Sequence, residues 1–281
     1  MRRWSFAKGH GTENDFVLIQ DRESMMHLGE AEVRAICDRH AGIGADGLLR
    51  AVKAKHIADW EGDGELWFMD YRNADGSIAE MCGNGLRVFA RYLVDENLAS
   101  GPTVSIATRV GLLQATLFRD GRVRVSMGPV TVAAESVTVT TSDGQEYAAT
   151  PVDVGNPHAV SFQDDLAGVP LLSAPAVKPV DAFPTGVNVE FVRTVADRHI
   201  AMRVYERGVG ETRSCGTGTV AAAAATARRD GVDTSQADTP VTYRVDVLGG
   251  TVEVELGPEQ AFLTGPAVIV AHGELSLPEE L

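Results

Sequence analysis

The chain has 281 residues, 44% of them hydrophobic and 23% charged, a globular composition long enough for one large or two medium domains. Its formal net charge of −14 argues against nucleic acid and anionic membrane as partners. Three cysteines are too few for a disulfide framework, no run of about 18 apolar residues is present, and the opening MRRWSFAKGHG lacks the apolar stretch of a signal peptide; a cytoplasmic location is expected.

In chain order, FVLIQDR (16–22) reads as a strand. EAEVRAICDRHA (30–41) carries Val33, Ile36 and Cys37 at helical spacing, which predicts a helix and makes Cys37 a packed core thiol. GIGADG (42–47) fits a dinucleotide-binding glycine pattern in letters only. It follows a helix, opens none, and is read as a turn. GELWFMDYRN (64–73) is a strand, and MCGNGLRVFARYLVDE (81–96) starts a helix at a Cys-Gly-Xaa-Gly. TVSIAT, GLLQATLF and RVRVSMG follow as consecutive strands with a turn at Asp120-Gly121. The later runs VTVTT, EYAATPVDVG, AVSF, NVEFVRT, HIAMRVYERG, VTYRVDVLGG and TVEVEL are again strand-like. Among them SCGTGTVAAAAATARR (214–229) starts the remaining strong helix, at a second Cys-Gly-Xaa-Gly. Strands dominate and helices are embedded among them, which predicts an α+β fold.

The halves repeat each other. Nine residues before Cys82 stands Asn73, at a strand end; nine before Cys215 stands Glu206, also at a strand end. GHGTENDFVLI and DVGNPHAVSF both place an asparagine after a glycine and before an apolar strand. A duplicated unit with a junction near Leu117 follows, giving halves of 1–117 and 118–264.

One cysteine before a glycine turn is ordinarily a buried core residue. Two at matching helix starts point to chemistry. The first backbone N–H groups of a helix lack internal partners and attract an anion, and the same field favours a thiolate. Two thiols and two such helix starts suit inversion of a carbon centre: one thiolate removes the proton, the opposite thiol returns one, and the helix starts stabilise charge building on a carboxylate. Outside these motifs, His158 after Asn-Pro and the Glu206-Arg207 pair are candidates that could equally be structural. No Cys or His pair has metal-ligand spacing, and Lys8, Lys53, Lys55 and Lys178 lie in no Gly/Ser-rich phosphate-binding context, so no metal and no pyridoxal cofactor are expected.

GTENDF, NADGSIAEMCGNGLR, GNPH, NVEF, YERGVGETRSCGTG and LTGPA, in that order, resemble the diaminopimelate epimerase family. The resemblance implies two pseudo-symmetric β-rich domains, each wrapped around a central helix, with the active site in the cleft between them. The last segment, 265–281, would return to the first half, and the protein would be a homodimer. The implied activity is a cofactor-free isomerase interconverting LL- and meso-2,6-diaminopimelate in bacterial lysine and peptidoglycan precursor biosynthesis. Cys82 and Cys215 become the acid/base pair, with His158 and Glu206 supporting proton handling. The backbone of Gly83, Asn84, Gly216 and Thr217 would hold the carboxylate at the reacting carbon. Asn14, Asn73, Asn156, Asn188 and Arg207 would bind the rest of the substrate, and Glu206 also lies in its reach. Many members have Gln where Gly47 stands, so Gly47 carries no side-chain role; Ser or Ala often replaces Thr217. The alternative is another two-thiol racemase of this fold, proline racemase-like, which would not need polar groups for a second amino acid end. A redox or metal-binding module without turnover is the alternative from another class.

Overall fold

A computed structural model of the protein describes residues 1–79, 81–234 and 239–279; the last two residues of the expected returning segment lie outside these. The chain divides into two compact units, Met1–Val125 with Pro266–Leu281, and Ser126–Gly265.

The first unit opens with β1 (Arg2–Gly11) and β2 (Asn14–Gln20), an antiparallel hairpin closed by Thr12 and Glu13. α1 (Glu30–Cys37) leads to β3 (Gly47–Lys53), parallel to β2, and β4 (Trp67–Asn73) returns antiparallel to β3. α2 (Gly83–Asp95) follows, then a meander of β5 (Thr103–Thr108), β6 (Gly111–Leu117) and β7 (Arg122–Gly128). Trp4, Val17, Ile19, Val33, Ile36, Cys37 and Leu48 form one core around α1. Leu86, Val88, Phe89 and Leu93 bury α2 against β1, β2, β4 and β6.

The second unit holds β8 (Thr131–Val132), β9 (Val137–Thr140), β10 (Glu146–Asp153), β11 (Pro157–Phe162), β12 (Ala176–Lys178), β13 (Asn188–Ala196), β14 (His199–Glu206) and β15 (Gly210–Thr212). α3 (Gly216–Arg229) precedes β16 (Val241–Val247), β17 (Gly250–Leu256) and β18 (Ala261–Pro266). β19 (Val268–Leu277) then pairs with β1 in the first unit over nearly its whole length. α3 is buried on every side from Gly216 to Ala227, packed against β10, β11, β13, β14 and β17. Its alanine run explains this: small side chains let strands approach from several directions.

The units share one plan, and the register shows it residue by residue. β11 runs parallel to β13 with His158 opposite Asn188, as β2 runs parallel to β3 with Phe16 opposite Gly47. β14 returns antiparallel to β13 from Val189 opposite Tyr205, as β4 returns to β3 from Gly47 opposite Asn73. The strand–loop–helix run therefore places Asn14 with Asn156, Phe16 with His158, Leu49 with Glu190, Asn73 with Glu206 and Cys82 with Cys215. The expected α+β, pseudo-symmetric architecture is present.

Three local differences from the sequence reading have physical causes. The first helix stops at Cys37, not Ala41: Asp38 is extended, and its carboxylate accepts the backbone N–H groups of His40 and Ala41, closing a turn. GLLRAVK forms β3, hidden in the sequence because Arg50 and Lys53 interrupt its apolar run while being buried with it. Arg2–Gly11, assigned no element from the sequence, form β1 because β2 and β19 supply partners on both edges.

Candidate active site

In the second unit, Cys215 is the N-cap of α3 and its sulfur accepts the backbone N–H of Gly218 at 3.4 Å. An N-cap with a sulfur acceptor leaves the N–H groups of Gly216 and Thr217 at the helix start unused by the cap, the arrangement that holds an anion. Glu206, at the end of β14, accepts hydrogen bonds from the Thr212 hydroxyl and from the Cys215 thiol. Burial raises its carboxyl above the ordinary carboxylate range, with those two donors pulling the other way. Burial, then the negative charges of Glu206 and Glu190, push the Cys215 thiol well up, against the Thr217 hydroxyl and the Gly218 N–H. Cys215 therefore rests as a thiol, with the Glu206 carboxyl beside it.

His158 and Glu190 are fully buried, with Nδ1 2.6 Å from Glu190 Oε1. His158 Nε2 lies 2.9 Å from Asn156 Oδ1, Asn156 Nδ2 donates to Thr217 Oγ1 at 3.3 Å, and Thr217 Oγ1 is 3.5 Å from Cys215 Sγ. Asn188 Oδ1 accepts the backbone N–H of Arg207 at 2.9 Å, and the exposed Arg207 guanidinium donates to Thr185 O at 2.8 Å.

In the first unit, Cys82 is likewise the N-cap of α2, accepting the Gly85 N–H at 3.3 Å. Its thiol donates to Asn14 Oδ1 at 3.6 Å, which also accepts from Asn84 Nδ2 at 3.2 Å. Asn14 Nδ2 donates to Asp46 Oδ2 at 2.8 Å, so the amide is held with its oxygen toward the thiol. The hairpin turn before Asn14 is strained: Thr12 and Glu13 have φ of 52° and 62°, rare for a β-branched residue. Arg87 of α2 is fully buried and donates to Thr12 Oγ1 at 3.1 Å, tying that turn to the helix Cys82 caps. Burial lowers the Arg87 guanidinium to about 10, the nearby Cys82 opposing the shift. Asn73 stands apart from this group, its side chain bonded to Ser77 Oγ at 3.0 Å.

The sequence motifs thus converge within each unit: Asn14, Cys82, Gly83 and Asn84 in the first; Asn156, His158, Asn188, Glu206, Arg207, Cys215, Gly216 and Thr217 in the second. Thr217 does more than offer a backbone N–H, since its hydroxyl joins Asn156 to Cys215. Sequence reasoning passed over Thr12, Asp46, Arg87, Glu190 and Thr212. Glu190 had a signal: in an alternating strand it shares a face with Asn188, two residues before it. Arg87 had one too, a lone cation on the apolar stretch of α2.

The family model for diaminopimelate epimerase matches residues 6–133 and 150–270. The chain belongs to the diaminopimelate epimerase family. It is 51% identical to the diaminopimelate epimerase of Streptomyces coelicolor, covering 97% of this chain and 95% of that one. It is 48% identical to that of Thermobifida fusca and 45% to that of Corynebacterium glutamicum, each over 97% of this chain and 98% of the relative. Among solved structures, a PhzF-family phenazine biosynthesis protein of Bacillus anthracis superposes with a TM-score of 0.70 at 14% identity, covering 99% of this chain and 100% of that one. A hydroxyproline epimerase of Agrobacterium vitis gives 0.68 at 15%, covering 99% of this chain and 94% of its own. At such identities these structures share the fold. As a member of that family, the chain is an isomerase. No helix among the described residues is long and apolar enough to cross a membrane.

Proposed function

We propose that this chain is a diaminopimelate epimerase that interconverts the LL and meso isomers by two-thiol proton transfer, with Cys82 and Cys215 serving opposite faces of one α-carbon. The observation that carries the reading is the repeated cap: each cysteine sulfur sits at a helix start, held by the N–H three residues on. Near-full-length identity of 44–51% to diaminopimelate epimerases supports the substrate.

The half-sites are chemically unlike. On the Cys215 side, Glu206 accepts the thiol proton and the thiolate formed is held by the Gly218 N–H and the Thr217 hydroxyl. On the Cys82 side an amide oxygen, Asn14 Oδ1, takes the thiol hydrogen bond, so no carboxylate of the Glu206 kind stands at the matching position, where Asn73 is. The four helix-start N–H groups of Gly83, Asn84, Gly216 and Thr217 would stabilise the α-carboxylate as the α-proton leaves. Arg207, Asn156, Asn188, Asn14 and Asn73 would hold the remaining polar groups, with charge-assisted bonds to the distal carboxylate. The reaction as proposed needs no metal or organic cofactor, because thiols, a carboxylate and backbone donors supply acid, base and charge stabilisation. The proposal includes a cytoplasmic homodimer, since three cysteines in 281 residues are too few for a disulfide framework.

The deciding experiment follows α-proton exchange into deuterated water with LL-diaminopimelate and purified chain. Exchange with conversion to the meso isomer is expected, and Cys82→Ala or Cys215→Ala should each abolish conversion. Full conversion by either variant would end the two-thiol mechanism. Lysine, which lacks the distal carboxylate, should be a very poor substrate; comparable turnover of lysine would favour a broader amino-acid racemase.

A further inference from the structure

We propose that Glu190 is a positioning residue of the Cys215 half-site: its buried carboxylate clamps the His158 ring at Nδ1 and so fixes Nε2 toward Asn156, which reaches the thiol through Thr217. This rests on the reading of Cys215 as a proton carrier.

The contacts form one continuous path. Glu190 Oε1 to His158 Nδ1 is 2.6 Å, His158 Nε2 to Asn156 Oδ1 is 2.9 Å, Asn156 Nδ2 to Thr217 Oγ1 is 3.3 Å, and Thr217 Oγ1 to Cys215 Sγ is 3.5 Å. A carboxylate only accepts, so it takes the Nδ1 hydrogen and fixes the ring orientation; Asn156 Oδ1 also only accepts, so the second contact is a hydrogen bond when Nε2 carries a hydrogen too. Parallel pairing makes the contact: His158 lies opposite Asn188, and Glu190 projects from the same face two residues further on.

Stability does not account for the pair. Both side chains are fully buried, and desolvating a buried ionisable pair costs about as much as its attraction returns. Glu190 Oε2 has no hydrogen-bond partner among the described residues, a further cost. The molecule also carries its own control. At the matching positions of the first unit stand Phe16 and Leu49, both fully buried. A Cβ built on Gly85 would meet Leu49 Cδ2 and Phe16 Cζ at 3.4 Å. At the matching Gly218 it would meet Glu190 Oε1 at 2.6 Å and the Cys215 sulfur at 3.3 Å. The same fold therefore closes with a hydrocarbon pair under one cysteine-capped helix and a His–Glu pair under the other. What the second unit gains is an oriented imidazole and a carboxylate pressed against the first turn of the helix that Cys215 caps.

The test uses the full chain and LL-diaminopimelate. Glu190→Gln keeps shape and an acceptor but removes the carboxylate. Its melting temperature should stay close to wild type, while kcat falls about 10–100-fold with KM changed less than about three-fold. Wild type should show a strongly downfield imidazole N–H resonance that His158→Asn deletes and Glu190→Gln moves. The double variant His158→Phe/Glu190→Leu, which rebuilds the first unit's pair, should melt no lower than wild type and not turn over. Wild-type kcat in Glu190→Gln, a double variant that unfolds, or absence of the resonance in wild type overturns the proposal. If Glu190→Gln does not fold, the resonance and the double variant decide it. A wild-type chain that epimerises no diaminopimelate overturns the functional reading instead, and the resonance alone then judges the clamp.

Discussion

In the proposed reaction Glu206 makes the Cys215 half-site sensitive to pH through its environment. Burial raises its carboxyl above the ordinary value of 4.5, so the folded chain holds this proton more tightly than the unfolded one. The stability it contributes is complete below that ordinary value and is lost as pH climbs through the raised folded value. Glu206→Gln has no such proton. Melting curves of both proteins across about pH 4 to 8 should show wild type losing stability relative to the variant in that window and running parallel above it. A constant difference across the range refutes the raised carboxyl. Turnover by Glu206→Gln should drop about 10²–10⁴-fold, since a proton acceptor is removed. Cys37 is the contrasting thiol: burial among Ile19, Val33 and Ile36 pushes it up to about 12, and Cys37→Ala should keep near wild-type kcat. Cys82 and Cys215 are legible in the sequence as a pair because a local pattern repeats around each. For Glu190 only the shared face with Asn188 is legible; its pairing with His158 is not, because His158 lies on a neighbouring strand, brought alongside by pairing between segments separated by a long crossover.

The two capped helices show how similar local signals give different elements. α2 fills its surroundings with Leu86, Phe89 and Leu93, whereas α3 uses alanine from Ala221 to Ala225. Ala223 is fully buried, so Ala223→Leu forces side chain into space that is already filled and should cost about 1–3 kcal/mol in chemical or thermal denaturation. The third residue of each helix gives a sharper contrast. Gly85→Ala meets only ordinary contacts of 3.4–3.5 Å, and alanine's better helix propensity favours it by up to about 1 kcal/mol. Gly218→Ala drives a methyl within 2.6 Å of Glu190 Oε1, whose retreat breaks the bond to His158. Steady-state kinetics should find Gly85→Ala folded and active and Gly218→Ala slowed at least about ten-fold, a loss of about 1.4 kcal/mol in transition-state stabilisation. Equal activities would show that the carboxylate has room to move. Both helix starts were readable from Cys-Gly-Xaa-Gly; why the second glycine is needed was not, since it depends on what packs against it.

At the scale of the chain, the return of the last strand follows from the family resemblance and from no local pattern. β19 pairs antiparallel with β1 from Arg2 opposite Leu277 to His10 opposite Val268, a ladder between the two ends of the sequence. No local pattern announces such a partner: β1 reads as a basic, weakly alternating segment until β19 covers its edge. The same return places the carbonyl of Pro266 3.4 Å from Arg87 Nε, so the buried guanidinium beneath the Thr12 turn depends on it. Removing residues 266–281 should therefore uncover β1 as an unpaired edge, leave Arg87 without one of its acceptors, and loosen the Thr12 turn that presents Asn14. The second unit keeps its own core of Val137, Val139, Val189 and Phe191 and its complete α3. Hydrogen–deuterium exchange of the truncated chain should show lost protection in β1, β2 and the first turn of α2, with α3 and β13 retaining theirs. Equal loss in both units would mean that they unfold as one body; protection of β1 unchanged would mean that its pairing with β19 contributes little to the first unit.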